Sequence, residues 1–128
     1  MTWVWIELSV VWAIHEAQLA EHGGSAGVRD RGLLESALKR PENRSSYATA
    51  DAASLAAAYA FGIARNNPFV DGNKRTAWVC AELFLILNGF ALKADNAQAL
   101  PAMLSLAAGE MSEIEFADWL RPFLVAGG

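Results

Sequence analysis

The sequence contains a single cysteine, Cys80, among its 128 residues. A lone cysteine excludes an internal disulfide and is typical of a reducing compartment. No apolar run reaches the ~20 residues needed to span a bilayer. The apolar N-terminus is interrupted by Glu7 and lacks the basic residues of a signal peptide. We therefore expect a cytoplasmic protein with no export signal and no membrane anchor.

Basic charge is also scarce, with 10 lysines and arginines against 14 acidic residues and a net charge of −4. Proteins that bind nucleic acid normally carry a basic footprint, so we expect no direct DNA binding. Common nucleotide-site and hydrolase signatures are missing as well, including GxxxxGK[ST], GxGxxG, HRD, DFG, HExxH and GxSxG. These absences exclude the usual NTPase, dinucleotide-binding, eukaryotic-kinase and hydrolase patterns.

Hydrophobic residues are abundant, at 54% of the chain, which is enough for one compact domain over residues 1–128. Residues 51–66 are rich in alanine and favour a closely packed helix. Residues 76–87 predict a helix that is apolar on nearly every face, with Glu82 as its only charged residue. Asn88-Gly89 should end this helix. We predict an all-α fold of about six helices around a buried central helix that starts near Gly72.

Capping and breaking residues divide the rest of the chain into four further helices, over about 7–22, 30–39, 95–108 and 112–123. His15 lies on the apolar stripe of the first and is read as a hydrogen-bonded core histidine. Pro41 should end the second, which leaves 40–50 polar and irregular. Pro101 favours a start nearer Ala99 for the third. Residues 90–93 are expected to be extended.

The link between the two most apolar helices reads Asn67-Pro68-Phe69-Val70-Asp71-Gly72-Asn73-Lys74-Arg75. Lys74 and Arg75 fall in the first helical turn, where cations are unfavourable beside the positive end of the helix dipole. A helix start with free N–H groups, a glycine and two cations is suited to an anion. We predict a phosphate site at residues 72–75. The alternative is that Asp71 caps the helix and both cations are merely solvated.

The same loop contains the parts that phosphoryl or nucleotidyl transfer requires. Backbone N–H groups of Gly72 and Asn73 would face a phosphate, while Lys74 and Arg75 would neutralise charge on the transferring group. Asp71 is a hard oxygen ligand suited to Mg²⁺. The side chain of Asn73 would orient a phosphate oxygen or hold the loop, and Phe69 would point inward as its anchor. A nucleoside triphosphate and Mg²⁺ are the expected ligands.

From Pro68 to Arg75 the loop resembles the signature loop of the Fic/Doc superfamily, in its death-on-curing (Doc) toxin branch. Further matching residues follow in the same order along essentially the whole chain, namely His15, Gly27-Val28-Arg29-Asp30, Arg40-Pro41 and Asn88-Gly89. The resemblance implies a kinase that transfers the γ-phosphate of ATP to a threonine of elongation factor Tu and so halts translation. It also implies inhibition by a Phd-type antitoxin and a target-binding surface near residues 40–50, which could equally be a solvated loop.

One residue departs from the family pattern, because Asn67 stands where the family has its catalytic histidine. An amide cannot act as the general base, whose loss typically costs ~10²–10⁴ in rate. We therefore expect an inactive or strongly impaired kinase, through either an engineered substitution or natural loss. The alternatives are a Fic-type AMP transferase, against which Lys74 and Trp78 argue, and a catalytically dead antitoxin-binding module.

Overall fold

A computed structural model describes residues 2–47 and 49–127, and of Tyr47 only the backbone. Over these residues the chain forms six α-helices, α1 (Leu8–His22), α2 (Arg31–Tyr47), α3 (Ala52–Asn66), α4 (Asn73–Leu87), α5 (Asn96–Ala108) and α6 (Glu113–Leu120). A 3₁₀ turn, Arg121–Phe123, follows α6. Strands β1 (Phe90–Leu92) and β2 (Leu124–Ala126) pair antiparallel, with Ala91 opposite Val125. The predicted six-helix fold is confirmed.

The core lies between α3 and α4. Helix α3 buries 11 of its 15 residues, including Tyr59 and Ile63, because its alanines let α2, α4 and α6 approach closely. Helix α4 buries eight residues along α3, with Cys80 among them. Its last turn reaches the surface, where Ile86 is 62% exposed. Helices α3 and α4 therefore share the centre that the sequence assigned to α4 alone.

Local capping signals fix several helix ends. The side chain of Asp51 caps α3, and capping boxes at Asp95 and Ser112 open α5 and α6. The predicted later start of α5, near Ala99, is wrong. The Asp95 capping box secures the first turn from Asn96, so the helix starts upstream and tolerates Pro101 inside it.

The predicted end of the second helix is wrong, because α2 passes through Pro41 and continues to Tyr47. The irregular segment expected at 40–50 is therefore helical over most of its length, while Ala48 lies outside the described residues. The reason is a contact from far along the chain. Buried Glu113 of α6 binds the Nε of Arg40 at 2.6 Å and an Nη of Arg44 at 3.0 Å. These pairs oppose the roughly 3 kcal/mol that a proline costs inside a helix.

None of the described helices is both long enough and apolar enough to cross a membrane.

Candidate functional site

The loop between α3 and α4 begins with an abrupt change of backbone direction at Asn67. Its φ of 54° and ψ of 51° are left-handed, and among the described residues it is the only non-glycine with positive φ. Pro68 excludes helical geometry for the residue before it, and asparagine accepts the left-handed alternative better than most residues. The Asn67 side chain is exposed at this corner.

Phe69 and Asn73 hold the middle of the loop. Phe69 is fully buried, as predicted for an anchor. Its N–H donates to Oδ1 of Asn73 and its carbonyl accepts from Nδ2 of Asn73, both at 2.9 Å. The Asn73 amide is thus used within the loop. Of the two roles considered for this side chain, the geometry favours holding the loop over contacting a phosphate.

His15 contacts the loop from α1. It is 2% exposed, which confirms the prediction of a core histidine. Its ring stacks on Phe69 with centroids 3.8 Å apart. Its Nε2 donates to the carbonyl of Asp71 at 2.8 Å, so a carbonyl partner fixes the proton on that nitrogen. The sequence indicated a buried histidine but not this contact with the loop.

Asp71 does not cap α4, so that part of the alternative is wrong. The N-cap is Gly72, at φ 78°, and no side chain caps the helix there. The Asp71 carboxylate turns instead to the α1–α2 connection, where its Oδ2 accepts from the N–H of Ser25 at 2.7 Å. Tertiary structure supplies a donor that the local sequence does not show.

The segment 27–30 borders the loop like a short strand. Val28 forms an isolated antiparallel bridge with Phe69, and the N–H of Val70 donates to the carbonyl of Gly27 at 3.0 Å. The Arg29 guanidinium binds the end of α3, with Nε donating to the carbonyl of Asn67 at 2.8 Å and Nη2 to that of Asn66 at 2.9 Å. We call this pair of bonds the Arg29 clamp. The only local feature of the sequence that could have indicated these contacts is the tendency of arginine to bind helix C-terminal carbonyls.

The start of α4 is open to an anion. Among the residues that the structure describes, the backbone N–H groups of 72–75 donate no hydrogen bond. Lys74 and Arg75 are exposed, and within the same residues neither pairs with a carboxylate. Free donors at a helix N-terminus, together with two unpaired cations, produce a local excess of positive potential in an acidic protein.

A cavity of about 440 Å³ opens beside this positive end, between α1, α4 and α5. Lys74 and Arg75 line one end of it, and Trp78 and Met103 contribute apolar wall. Glu82 also lines it and is half-buried. Burial raises the pKa of the Glu82 carboxyl. The cavity therefore combines a cationic end, an apolar wall and two carboxylates, because Glu21 lines it as well.

A metal ion held by protein ligands alone has no site in the described residues, because they contain no group of three or more potential ligands. Asp71 nevertheless keeps one carboxylate oxygen free of hydrogen bonds within this part of the chain. Mg²⁺ commonly binds through one or two carboxylates together with phosphate oxygens and water. Asp71 thus fits a magnesium ion that arrives with a phosphate ligand.

The fold and the loop define a class of protein, a helical domain in which a loop with free N–H donors and two exposed cations opens one helix. Residues 5–85 match the Fic/DOC family, and the chain belongs to that family. It is 36% identical over 110 residues to the protein kinase doc of Escherichia phage P1, covering 85% of this chain and 86% of that protein. It is 47% identical over 76 residues to the toxin Doc of Mycolicibacterium smegmatis, covering 57% and 58%.

Proposed function

We propose that the chain is a Doc-type toxin of a toxin–antitoxin system, built to transfer the γ-phosphate of ATP to a threonine of elongation factor Tu. One observation carries the proposal. Among the described residues, the N–H groups and cations at the start of α4 have no partner, which suits them to an anion, and the chain covers 86% of the related protein kinase doc. Translation would be arrested in the cytoplasm, and a Phd-type antitoxin would hold the toxin inactive.

Each loop residue has a role in this proposal. The N–H groups of Gly72 and Asn73 bind phosphate oxygens, and Lys74 and Arg75 neutralise the charge that develops during transfer. The second carboxylate oxygen of Asp71 would hold Mg²⁺, which would supply further charge neutralisation when bound. Phe69 anchors the loop, and its bonds with the Asn73 amide keep these donors in place.

The transfer step shows why position 67 matters. A bond forms between the threonine oxygen and the γ-phosphorus, the bond from that phosphorus to the ADP oxygen breaks, and the hydroxyl proton must pass to a base. The resemblance assigns that base to the residue at position 67. An asparagine amide does not accept a proton near neutral pH, so we expect this chain to lose about 10²–10⁴ in rate. Because the Asn67 side chain is exposed beside the loop, a histidine there could reach solvent and substrate.

Asn67 also favours a second candidate, a catalytically dead module that binds the antitoxin. An AMP transferase is less consistent with the residues. Fic enzymes have a glycine at the position of Lys74 and a second arginine at the position of Trp78. Trp78 is only 6% exposed and its indole offers no positive charge to a phosphate.

The test is mass spectrometry of elongation factor Tu after incubation with ATP–Mg²⁺ and either the present chain or its Asn67→His variant. We expect a phosphate-sized shift with the variant alone. The double variant Asn67→His, Arg75→Gln serves as a control and should transfer far less. An AMP-sized shift would replace the kinase with an AMP transferase. No shift with either chain, with antitoxin binding retained, would favour the binding module.

A further inference from the structure

We propose that Gly24 and Ser25, in the connection between α1 and α2, are positioning residues that orient the carboxylate of Asp71 for a magnesium ion. The inference rests on the proposed function, because it takes Asp71 as the magnesium ligand. It adds two residues from outside the loop, of which Ser25 is 46 positions away from Asp71. Carboxylates that bind metals are commonly held by a further hydrogen bond, which fixes their orientation.

Asp71 is held at both its backbone and its side chain. Its carbonyl accepts from Nε2 of His15 at 2.8 Å, and its Oδ2 accepts from the N–H of Ser25 at 2.7 Å. The residue is thus fixed from two separate elements, although it is exposed to solvent. Mg²⁺ requires nearly ideal octahedral geometry. A carboxylate with one oxygen anchored offers the other as a single ligand in a fixed position.

The bond from Ser25 is not needed to attach this connection to the loop. Segment 27–30 is already joined to the loop by backbone hydrogen bonds, two to the carbonyl of Pro68 and one from the N–H of Val70. The bond from Ser25 differs from these because it contacts a side chain. Its effect therefore falls on the orientation of the Asp71 carboxylate rather than on the course of the backbone.

The bond also keeps Asp71 apart from the two cations of the site. Lys74 and Arg75 follow Asp71 by three and four positions, a spacing at which opposite charges on a helical turn pair. Within the described part of the chain, neither of them forms an ion pair with Asp71. Such a pair would occupy the carboxylate and neutralise a cation. The N–H of Ser25 thus leaves the carboxylate available to a metal and the cations available to a phosphate.

Gly24 allows the connection to approach Asp71 closely. A Cβ atom added at Gly24 would lie 3.2 Å from Cβ of Asp71 and 3.1 Å from Cδ2 of Leu19. A side chain at this position would therefore push Asp71 away from the N–H of Ser25. Gly23 also has a positive φ, of 80°, but a Cβ atom added there would meet nothing within 4 Å. The neighbouring glycine is therefore a matched control.

Calorimetric titration with inorganic tripolyphosphate, once with Mg²⁺ and once with EDTA in its place, tests the positioning role. We call the ratio of the two affinities the magnesium increment. Ser25→Pro removes the N–H donor, and Gly24→Ala places a methyl group against Asp71. We expect each variant to lower the magnesium increment at least about tenfold, because loss of a partner of a metal ligand typically costs about 10–100-fold in affinity.

Two control variants and a double variant separate this role from a general loss of structure. Ser25→Ala keeps the N–H, and Gly23→Ala adds a methyl group away from Asp71, so both should keep the magnesium increment of the parent. Asp71→Ala should lose it. Adding Ser25→Pro to Asp71→Ala should lower it no further, because the positioning acts through Asp71 alone. Electron paramagnetic resonance of bound Mn²⁺ should rank the variants in the same order, and circular dichroism checks that each is folded.

The positioning role is overturned if both Ser25→Pro and Gly24→Ala keep the full magnesium increment, or if the two control variants lose as much. A further loss on adding Ser25→Pro to Asp71→Ala would also overturn it. An unchanged increment in Asp71→Ala would reject both the metal ligand of the proposed function and its positioning. Phosphate transfer by the Asn67→His chain is measured separately. A selective loss of the increment in Ser25→Pro without any transfer would support the positioning and reject the kinase.

Discussion

The imidazole of His15 lies flat on the ring of Phe69, with centroids 3.8 Å apart and planes inclined by only 10°. The same imidazole donates to the carbonyl of Asp71 at 2.8 Å. One buried side chain on α1 therefore contacts the loop at both a side chain and a backbone group, two residues apart. The shape of the loop depends on a helix that contributes none of the proposed phosphate ligands.

We expect His15→Ala to lower the free energy of unfolding by about 2–4 kcal/mol, because it leaves a cavity beside Phe69 and an unpaired carbonyl at Asp71. It should also weaken tripolyphosphate binding, since the loop is then less well held. His15→Gln retains a donor but loses the stacked ring, so its loss should be smaller. Urea unfolding measures the stability. Equal stability of His15→Ala and the parent chain would refute a structural role for the contact.

The Arg29 clamp leads to a second prediction. One guanidinium donates to the carbonyls of Asn66 and Asn67, which an ammonium group cannot reproduce in the same planar geometry. We expect Arg29→Lys to reduce stability by about 1 kcal/mol, and Arg29→Ala by more, since a charge-assisted hydrogen bond contributes about 1.5–3 kcal/mol and this site is exposed.

Arg31 provides the matched control for the clamp. It is an exposed arginine two residues away whose one ion pair within the described residues is with Glu35 on its own helix. Arg31→Ala should change stability by less than about 0.5 kcal/mol. Thermal unfolding of the three variants measures the difference. If Arg29→Ala and Arg31→Ala shifted the midpoint of thermal unfolding equally, the Arg29 clamp would contribute nothing to the stability of the fold.

Features of the fold that depend on near neighbours could be predicted from the sequence. The caps at Asp51, Asp95 and Ser112 each involve a residue only three positions further on. The continuation of α2 through Pro41 could not be predicted, because it depends on the bond between Arg40 and Glu113, 73 positions apart. A local breaking signal was outweighed by a long-range ion pair.

The same distinction applies to the candidate site. The position of the loop and its excess of cations could be predicted, because consecutive residues determine both. The same residues carry the family resemblance. The supports of the loop come from elsewhere, with His15 56 positions from Asp71 and Arg29 38 positions from Asn67. Asp71 shows the consequence. It has a suitable side chain for an N-cap, but the fold brings it the N–H of Ser25 instead.

The left-handed backbone of Asn67 gives a third prediction. Left-handed geometry costs a β-branched residue more than asparagine, histidine or glycine. We expect Asn67→Val to lose about 1–2 kcal/mol of stability, whereas Asn67→Gly and Asn67→His should stay close to the parent. Differential scanning calorimetry measures the midpoints. A stable Asn67→Val variant would show that this corner is not held in the left-handed conformation, which would weaken the case for its fixed position in catalysis.

The last prediction concerns pH and the ion pair between Asp51 and Arg121, in which Nε of Arg121 lies 2.8 Å from Oδ2 of Asp51. The hydrogen bond from the Arg121 guanidinium holds the pKa of Asp51 below its ordinary value of 3.8. A carboxyl with a lower pKa in the folded state stabilises the fold above the unfolded value, and that stabilisation is lost as the pH falls through the folded value. Asp51→Asn should therefore be less stable than the parent near neutral pH. The difference in free energy of unfolding between the parent and Asp51→Asn should shrink as the pH falls below about 4. Protonation of Asp51 in the parent removes the same charge that the substitution removes.

The comparison with asparagine isolates the charge, because asparagine caps a helix about as well as aspartate does. Asp51→Ala loses the cap as well and should be lower by a further ~1 kcal/mol at every pH. The contribution of the charge itself should stay below about 1 kcal/mol, since about half of the Asp51 side chain is exposed to solvent. Urea midpoints of the three chains between about pH 7 and pH 3 measure both effects. A deficit of Asp51→Asn that stayed constant over this range would assign the stabilisation to the shape of the side chain, and the Arg121 pair would then contribute nothing through its charge.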